Sequence, residues 1–389
     1  DAYTKGIIGY ELVEELCDVL KEFHTIMDGY KVDAYAAYAG NMLHDVSNEL
    51  FILDQIRLRT KIKVTVLSNS EHRFMGYKSL AAMPEFEEMI QKGAAVVDVG
   101  GGSMQATLFW QGSAITTQHI VLGIMRIREK LSGIENLVSH YENQIQELID
   151  KELDIFKRLY LPKKDIKYVI MMGDYIGEIV KGVSKREPDG SIETERFVKL
   201  LNKLSKKSPE EIAKELNLTN EHDQLILPSV VLYKRLIEEM GAPYIWVPGL
   251  NISDGIAYDY AEKHKMIRFE HDFEDDILSA TRNLAERYRG YSKHTEAVVN
   301  MSLTIFDAMK KVHGMKERER LLMQAAAMLH DCGRYISLVN QSECSYQIIM
   351  ASEIIGMTHL EREIVASTVK YNSHPLPPYE QMMDKMDQE

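Results

Sequence analysis

The chain has 389 residues, of which 45% are hydrophobic and 27% charged, with a formal net charge of −13 at pH 7. That length exceeds one ordinary core, so two or three domains are expected. The acidity argues against general nucleic-acid binding, and no apolar run approaches the roughly 18 residues of a membrane span.

In chain order, Tyr10–Phe23 carries Leu12, Val13, Leu16, Val19, Leu20 and Phe23 at helical spacing, so a helix is expected to bury that side. Lys31–Tyr38 alternates as a strand does, Met42–Arg57 is helical, and Ile62–Leu67 is again a strand. Glu71–Ala82 is a further helix with Asn69 or Ser70 as its cap. This β-α-β-α order predicts a mixed α/β sheet. Ala94–Thr107 reads as strand, glycine turn, strand, and Ser113–Ile120 completes a meander. Helices follow over Ile124–Leu131 and Val138–Leu159, then a strand over Ile166–Met172. Lys185–Glu193 is polar and turn-rich. Ser208-Pro209-Glu210-Glu211 is a capping box opening a short helix to about Leu216. Leu225–Met240 is a helix, Tyr244–Val247 a strand and Ser253–Lys265 a helix. Past a boundary near 266–271 the strand signal ends, and five helical segments are expected at about 272–289, 293–312, 316–330, 344–354 and 359–371. The lysines at 61, 63 and 78 are expected on solvated faces. The three cysteines, Cys17, Cys332 and Cys344, have no metal-ligand spacing and suit a reducing cytoplasm.

The stretch richest in chemistry is Val96–Ser103, VVDVGGGS. A β-branched run delivers Asp98 to a strand end. Gly100, Gly101 and Gly102 lack a Cβ, so their amides can crowd around an anionic oxygen, and Ser103 adds a hydroxyl. An acid beside such a cradle suits phosphoryl chemistry. The same glycines also suit an ordinary tight turn. Glu71 has two readings as well: a catalytic acid, or a carboxylate favouring a helix N-terminus.

Taken together, Ala39–Asn48 (AGNMLHDVSN), Val66–Arg73 (VLSNSEHR), Val96–Ser103, Val121–Gly123 and a helical region with His294 and Leu329-His330-Asp331 resemble the exopolyphosphatase/guanosine pentaphosphate phosphohydrolase (Ppx/GppA) family. The resemblance implies an actin-like (ribonuclease H-like, ASKHA) two-lobed α/β module followed by an all-α HD-like domain. It places the lobes at 1–84 and 85–268 and the helical domain at 269–389. Glu71-His72-Arg73 matches the family's Glu-Ala-Arg triplet, which implies Glu71 as base or water-positioner. Asp98 falls on the acid of the Asp-x-Gly-Gly-Gly-Ser loop. The resemblance makes Glu71 and Asp98 catalytic and Mg²⁺ ligands. It makes Gly100, Gly101, Gly102, Ser103, Gly123, Arg73, Asn41 and His44 phosphate-binding. The implied activity is Mg²⁺-dependent release of terminal phosphate from polyphosphate or guanosine pentaphosphate by a cytoplasmic homodimer, with no membrane or general nucleic-acid partner.

The chain departs from the family pattern at several positions. Gly40-Asn41 and His44 stand where the family has Thr-Ser and Arg. Gly173-Asp174 replaces a Gly-Thr pair, and Ser253-Asp254-Gly255 replaces Arg-Glu-Gly. Each change removes a phosphate donor or adds an acid, which favours a second reading as a binding protein with weakened catalysis. The family's first phosphate loop is expected upstream of Asp1, and the helical domain is expected to continue past Glu389. In the HD arrangement His294, His330 and Asp331 would be three of four metal ligands, giving a third reading as a metal phosphohydrolase. The alternative is that His330 and Asp331 bond a helix end and its turn. His374 matches a family histidine and is read as structural.

Overall fold

The computed structural model describes residues 5–44, 46–131, 141–161, 166–183, 185–218, 223–290 and 293–378. The chain divides into two compact units, Asp1–Gly112 with His119–His271, and Ser113–Gln118 with Asp272–Glu389.

The first unit opens with helix α1 (Tyr10–Tyr30). The side it buries is that of Val13 and Cys17, which pack with Leu43, Val46, Ile52 and Ile56. The row Leu12, Leu16, Val19 and Phe23, expected to face a core, is exposed, Leu12 by 58% and Phe23 by 55%. Strand β1 is only Ala37–Ala39 and pairs in parallel with β2 (Val64–Val66), Ala37 opposite Val64. The helix expected over Met42–Arg57 is broken into a 3₁₀ turn, Asn41–Leu43, and α2 (Glu49–Thr60). Asn48 stands at the break as the N-cap residue of α2, with φ −107° and ψ 24°. Its side-chain amide donates to the Ile8 carbonyl (2.8 Å) and accepts from the Ile8 amide (3.2 Å), tying the start of α2 to the segment before α1.

Helix α3 (Asn69–Ala81) starts one residue earlier than an Asn69 cap would allow and two earlier than a Ser70 cap, because Ser68 is the cap. Helix α4 (Pro84–Lys92), where no element was expected, starts with proline at its first position and leads into the larger sheet. That sheet contains β3 (Ala94–Val99), β4 (Met104–Trp110), β5 (Ser113–Ile120), β6 (Tyr168–Gly173), β7 (Ile192–Glu193) and β8 (Tyr244–Trp246) in the order β5-β4-β3-β6-β8-β7. β3 is antiparallel to β4 and parallel to β6, with Asp98 opposite both Gln105 and Met172. It is buried along both faces except at Asp98, as expected of a central strand. Between the strands run α5 (Ile124–Leu131), α6 (Tyr141–Tyr160), α7 (Ile176–Val180), α8 (Thr194–Leu204), α9 (Pro209–Glu215) and α10 (Asp223–Met240), and α11 (Ile252–Lys263) follows β8. Residues 138–140 of the expected Val138–Leu159 helix lie outside the described residues.

Lys78, expected on a solvated face, is instead buried between α3 and α11. Its ammonium pairs with Asp259 (2.7 Å) and Glu262 (2.6 Å) and lies over the rings of Phe74 and Phe269. Two carboxylates and two ring faces compensate the desolvation of the charge. The helices come this close because Gly255 has no side chain: a Cβ there would stand 1.7 Å from the Met75 carbonyl oxygen.

The second unit is helical, with α12 (Phe273–Arg287), α13 (Lys293–Ala308), α14 (Lys310–His313), α15 (Glu317–Leu329), a 3₁₀ turn Cys332–Tyr335, α16 (Gln341–Met350) and α17 (His359–Lys370). The single helix expected over 293–312 is interrupted at Met309. Its core is built from Ile277, Leu321, Ala325, Leu329, Ile349, Val365 and their neighbours.

Replacing glycine by alanine in an exposed helix interior gains about 1 kcal/mol. At Gly255 the clash with Met75 should reverse the sign, and Gly255→Ala is expected to cost about 1–3 kcal/mol as α3 and α11 separate. A urea midpoint below that of the wild type checks this; a higher midpoint would refute the close packing.

Candidate active site

The site is built where the first turn of α3 meets the β3–β4 turn. Ser68 and Glu71 form a reciprocal capping box. Ser68 Oγ accepts from the Glu71 amide (3.3 Å), while Glu71 Oε2 accepts from the Ser68 amide (3.0 Å) and Ser68 Oγ (2.7 Å). Two residues on, Arg73 points under the glycine turn, only 5% of its side chain exposed. Nη1 pairs with Asp98 Oδ2 (2.6 Å) and donates to the Asp98 carbonyl (3.2 Å). Nη2 donates to the Ser103 carbonyl (3.0 Å) and Ser103 Oγ (3.3 Å). One planar guanidinium thus ties the end of β3 to the start of β4.

The turn is held from the opposite side by α5. The Ile124 amide donates to Gly100 O (3.2 Å), the Met125 amide to Gly101 O (2.9 Å) and Arg126 Nε to Gly102 O (3.0 Å). A trans peptide points its C=O and the following N–H in opposite directions. Three carbonyls drawn toward α5 therefore turn the amides of Gly101, Gly102 and Ser103 the other way. Three consecutive amides of that kind form a concave donor set for an anion. Gly123 makes the approach possible: a Cβ there would lie 2.3 Å from Gly101 O and 2.5 Å from the Gly102 carbonyl carbon. Its role is steric, because the first amides of α5 are already committed to the turn.

A cavity of about 340 Å³ opens on this turn, lined by Gly100–Ser103, Arg73, Arg126, His72, Asn69, His119, Gly40, Met42 and Val121. Asn69 Nδ2 donates to His119 Nδ1 (2.8 Å), joining the start of α3 to the end of β5. Burial, and then the charge of Arg73, push the His72 imidazole below its ordinary pKa, with Asp98 pulling the other way. Asp174 follows the tip of β6, its amide donating to Val99 O (3.2 Å). Although its side chain reaches solvent, the surrounding walls strip enough hydration to raise its pKa. The Asp98 carboxylate adds to that rise and Arg73 offsets it. Tyr233, buried beside these acids and donating to Asp174 O (2.6 Å), has its phenol pushed well up by burial and by the two carboxylates.

The structure therefore brings together Arg73, Asp98, Gly100, Gly101, Gly102, Ser103 and Gly123. Arg73 is occupied by Asp98 and the turn and serves as the turn's support. His44 is turned away and pairs with Glu49 (3.1 Å) in an exposed position. The side chain of Asn41 lies outside the described residues. The sequence reading missed His72, Asn69, His119 and Arg126 as wall residues. The last follows Leu122-Gly123 by three positions, a spacing that could have marked it.

Asp98 and Glu71 do not fit a Mg²⁺ cage in this arrangement. One oxygen of each is already taken, by Arg73 and by the Ser68 cap. Among the described residues no three His, Cys, Asp or Glu side chains converge to hold an ion. The same holds for His294, His330 and Asp331. The two imidazoles lie edge to face with centroids 5.6 Å apart, but His330 Nδ1 faces the Ala327 carbonyl (2.9 Å) and Asp331 Oδ2 faces Arg334 (3.9 Å). The HD-type ligand set is thus not assembled, because the helix end and its turn engage two of its members.

Replacing Arg73 by Met should leave Asp98 without its counter-charge. Breaking a buried pair costs about 3–5 kcal/mol, and since Asp98 is one-fifth exposed the lower end is expected. Removing the acid as well leaves no unpaired charge, so the double variant should escape part of that cost. The urea midpoint of Arg73→Met should fall and that of Arg73→Met/Asp98→Asn should recover part of the loss; a double variant no more stable than the single would contradict the pairing.

Comparison with known proteins extends this geometry. The model of the Ppx/GppA phosphatase family matches residues 2–264, and that of Ppx/GppA phosphatase domain III matches residues 278–388. No curated protein sequence matches significantly. Among solved structures, the chain is similar to the Ppx/GppA family member of Aquifex aeolicus at 18% identity. That match covers 68% of this chain and 85% of the other, with a TM-score of 0.53. It is also similar to an exopolyphosphatase from Cytophaga hutchinsonii at 16% identity, covering 67% and 85%, with a TM-score of 0.57. A protein described as exopolyphosphatase-like aligns at 14% identity over 68% and 88%, also with a TM-score of 0.57. At these identities the likeness shows the fold, and it is consistent with the actin-like α/β module and a helical C-terminal domain. The two family matches together take in nearly the whole sequence, and the chain belongs to the Ppx/GppA phosphatase family of phosphoanhydride hydrolases.

Proposed function

We propose that the protein releases terminal phosphate from inorganic polyphosphate or from guanosine pentaphosphate, with the phosphoryl group seated in the 340 Å³ cavity on the amides of Gly101, Gly102 and Ser103. The observation that carries this reading is the fixing of the turn's three carbonyls on α5 and Arg126, which leaves those amides facing away together. Phosphoryl transfer asks for positioning and charge neutralisation more than for covalent catalysis. A preorganised amide set meets that need without reorganising during the reaction.

Glu71 and Asp98 are the proposed catalytic acids. Each keeps one carboxylate oxygen, Oε1 of Glu71 and Oδ1 of Asp98, outside the cap and the Arg73 pair. Those oxygens can accept from a water and orient it for in-line attack. Mg²⁺ dependence belongs to the same proposal on family grounds alone, since Glu71 and Asp98 form no cage for the ion. So does a cytoplasmic homodimer. Three free thiols and the absence of any membrane-length apolar helix among the described residues suit that compartment. The exposed row Met301, Ile305 and Val312 suits an interface on the helical unit. The face-to-edge placing of His294 and His330 is the support for an HD-like kinship of that unit.

Asp174 favours a second reading, in which the protein binds the anion with little turnover. It follows the tip of β6 and its carboxyl feels the Asp98 charge, adding negative charge near the proposed anion seat.

The test is phosphate release from tripolyphosphate and long-chain polyphosphate in the presence of Mg²⁺. Asp98→Asn should lower the rate at least about 100-fold. Glu71→Gln separates chemistry from capping, because Gln also completes the box with Ser68. It should keep the wild-type thermal midpoint while losing a comparable factor in rate. Release unaffected by both changes refutes the assignment of the two acids. Anion binding without release establishes the second reading.

A further inference from the structure

We propose that a second cavity beside this site takes the nucleoside end of a nucleoside 5′-polyphosphate, so that a nucleotide is preferred to inorganic polyphosphate. The inference rests on the reading of the 340 Å³ cavity as the seat of the terminal phosphate.

Position is the first argument. A cavity of about 330 Å³ adjoins the first, between β1 and the first turn of α11, and Gly40 and His72 line both. Position 40 carries no side chain to close the passage between them. Packing does not demand a glycine there, since an added Cβ would meet nothing nearer than the His72 ring at 3.8 Å. A substrate whose terminal phosphoryl group lies on the amides of Gly101, Gly102 and Ser103 can therefore extend through this passage.

The chemistry of the walls is the second argument. The first cavity has two arginines and the glycine turn. Among the described residues the second is lined by neither lysine nor arginine. Leu67, Ile252 and Ile256 give it apolar surface, Tyr38 an aromatic ring and Ser253 a hydroxyl. Lys263 of α11 feels the Tyr38 hydroxyl, but its ammonium is already paired with Asp259 (2.8 Å).

That contrast decides between a chain of phosphates and a nucleotide. Every further unit of inorganic polyphosphate brings another negative charge. Entering the second cavity would strip its hydration, and no lysine or arginine of the wall compensates that loss. A nucleoside carries no formal charge. Its base has a flat face that can stack on the Tyr38 ring, and polar edges that a hydroxyl can meet. A mostly apolar pocket with a few polar groups is the common form of a site for such a moiety. An anion cradle opening into an apolar pocket suits a ligand with one charged end and one neutral end.

The test compares guanosine 5′-triphosphate with tripolyphosphate, which carry equal runs of phosphate and differ at the far end. With the full chain and Mg²⁺, kcat/KM for phosphate release should favour the nucleotide at least about tenfold, the low end for filling an apolar pocket. Where turnover is absent, calorimetric Kd values should show the same preference. Tyr38 and Ser253 are exposed, so changing either does not disturb the core. Tyr38→Ala should weaken the nucleotide about tenfold more than tripolyphosphate, the loss of one stacked base. Ser253→Arg adds a cation to the wall and should raise the use of long-chain polyphosphate. Equal preference for nucleotide and tripolyphosphate, a Tyr38→Ala loss shared by both, or polyphosphate use unchanged by Ser253→Arg overturns the inference and leaves the anion reading standing. A protein that neither binds nor cleaves any of the three compounds overturns both.

Discussion

The Arg73–Asp98 pair is the constraint on which the site depends. A turn of three glycines has no side chains with which to fix its own shape, and glycine loses more conformational entropy on ordering than any other residue. Something outside the turn must hold it. The Arg73 guanidinium does so from beneath, with one edge on the β3 end and the other on the β4 start. Its charge would be costly in that position without Asp98, and Asp98 would be costly without Arg73. The pair is therefore a device for holding geometry more than a source of net stability.

The second clamp, from α5, decides what the turn can do. Had the carbonyls of Gly100, Gly101 and Gly102 faced the cavity, the same sequence would have formed a cation-binding edge. Their bonds to Ile124, Met125 and Arg126 turn the amides outward. The chemistry this loop can offer is thus set by which face of the peptide planes a neighbouring helix claims. That helix reaches the loop only because Gly123 presents no Cβ to it.

Much of this was legible in local sequence and the rest was not, for a consistent reason. VVDVGGGS announces a buried strand and a glycine turn through β-branching and missing side chains, both properties of consecutive residues. Ser68-x-x-Glu71 was a legible capping box, although the cap was read one or two residues late. Lys78 was misread because the acids that take it inside, Asp259 and Glu262, lie 181 and 184 residues away. The outward row of α1 was misread because helical periodicity shows that a stripe is apolar without showing what covers it. His72, His119 and Arg126 reach one cavity from α3, β5 and α5, and no spacing within one element could gather them. The HD pair shows the opposite limit. Its residues are adjacent as the motif suggests, yet His330 and Asp331 are engaged by their own helix end and turn.

The proposed function asks an acidic protein to receive an anion, and that demand can be set against the charges of the site. The net charge of −13 opposes approach at long range, but at physiological salt it is screened beyond about 8 Å. Inside the cavity the strongest cation, Arg73, is already cancelled by Asp98, and Asp174 adds a further negative field. In the proposed reading the attraction comes from Arg126, which lines the cavity with its Nε on the neutral Gly102 carbonyl, and from backbone amides, whose dipoles are fixed by the fold and need no counter-ion. Such a site selects its ligand by the direction of its donors more than by the strength of its field.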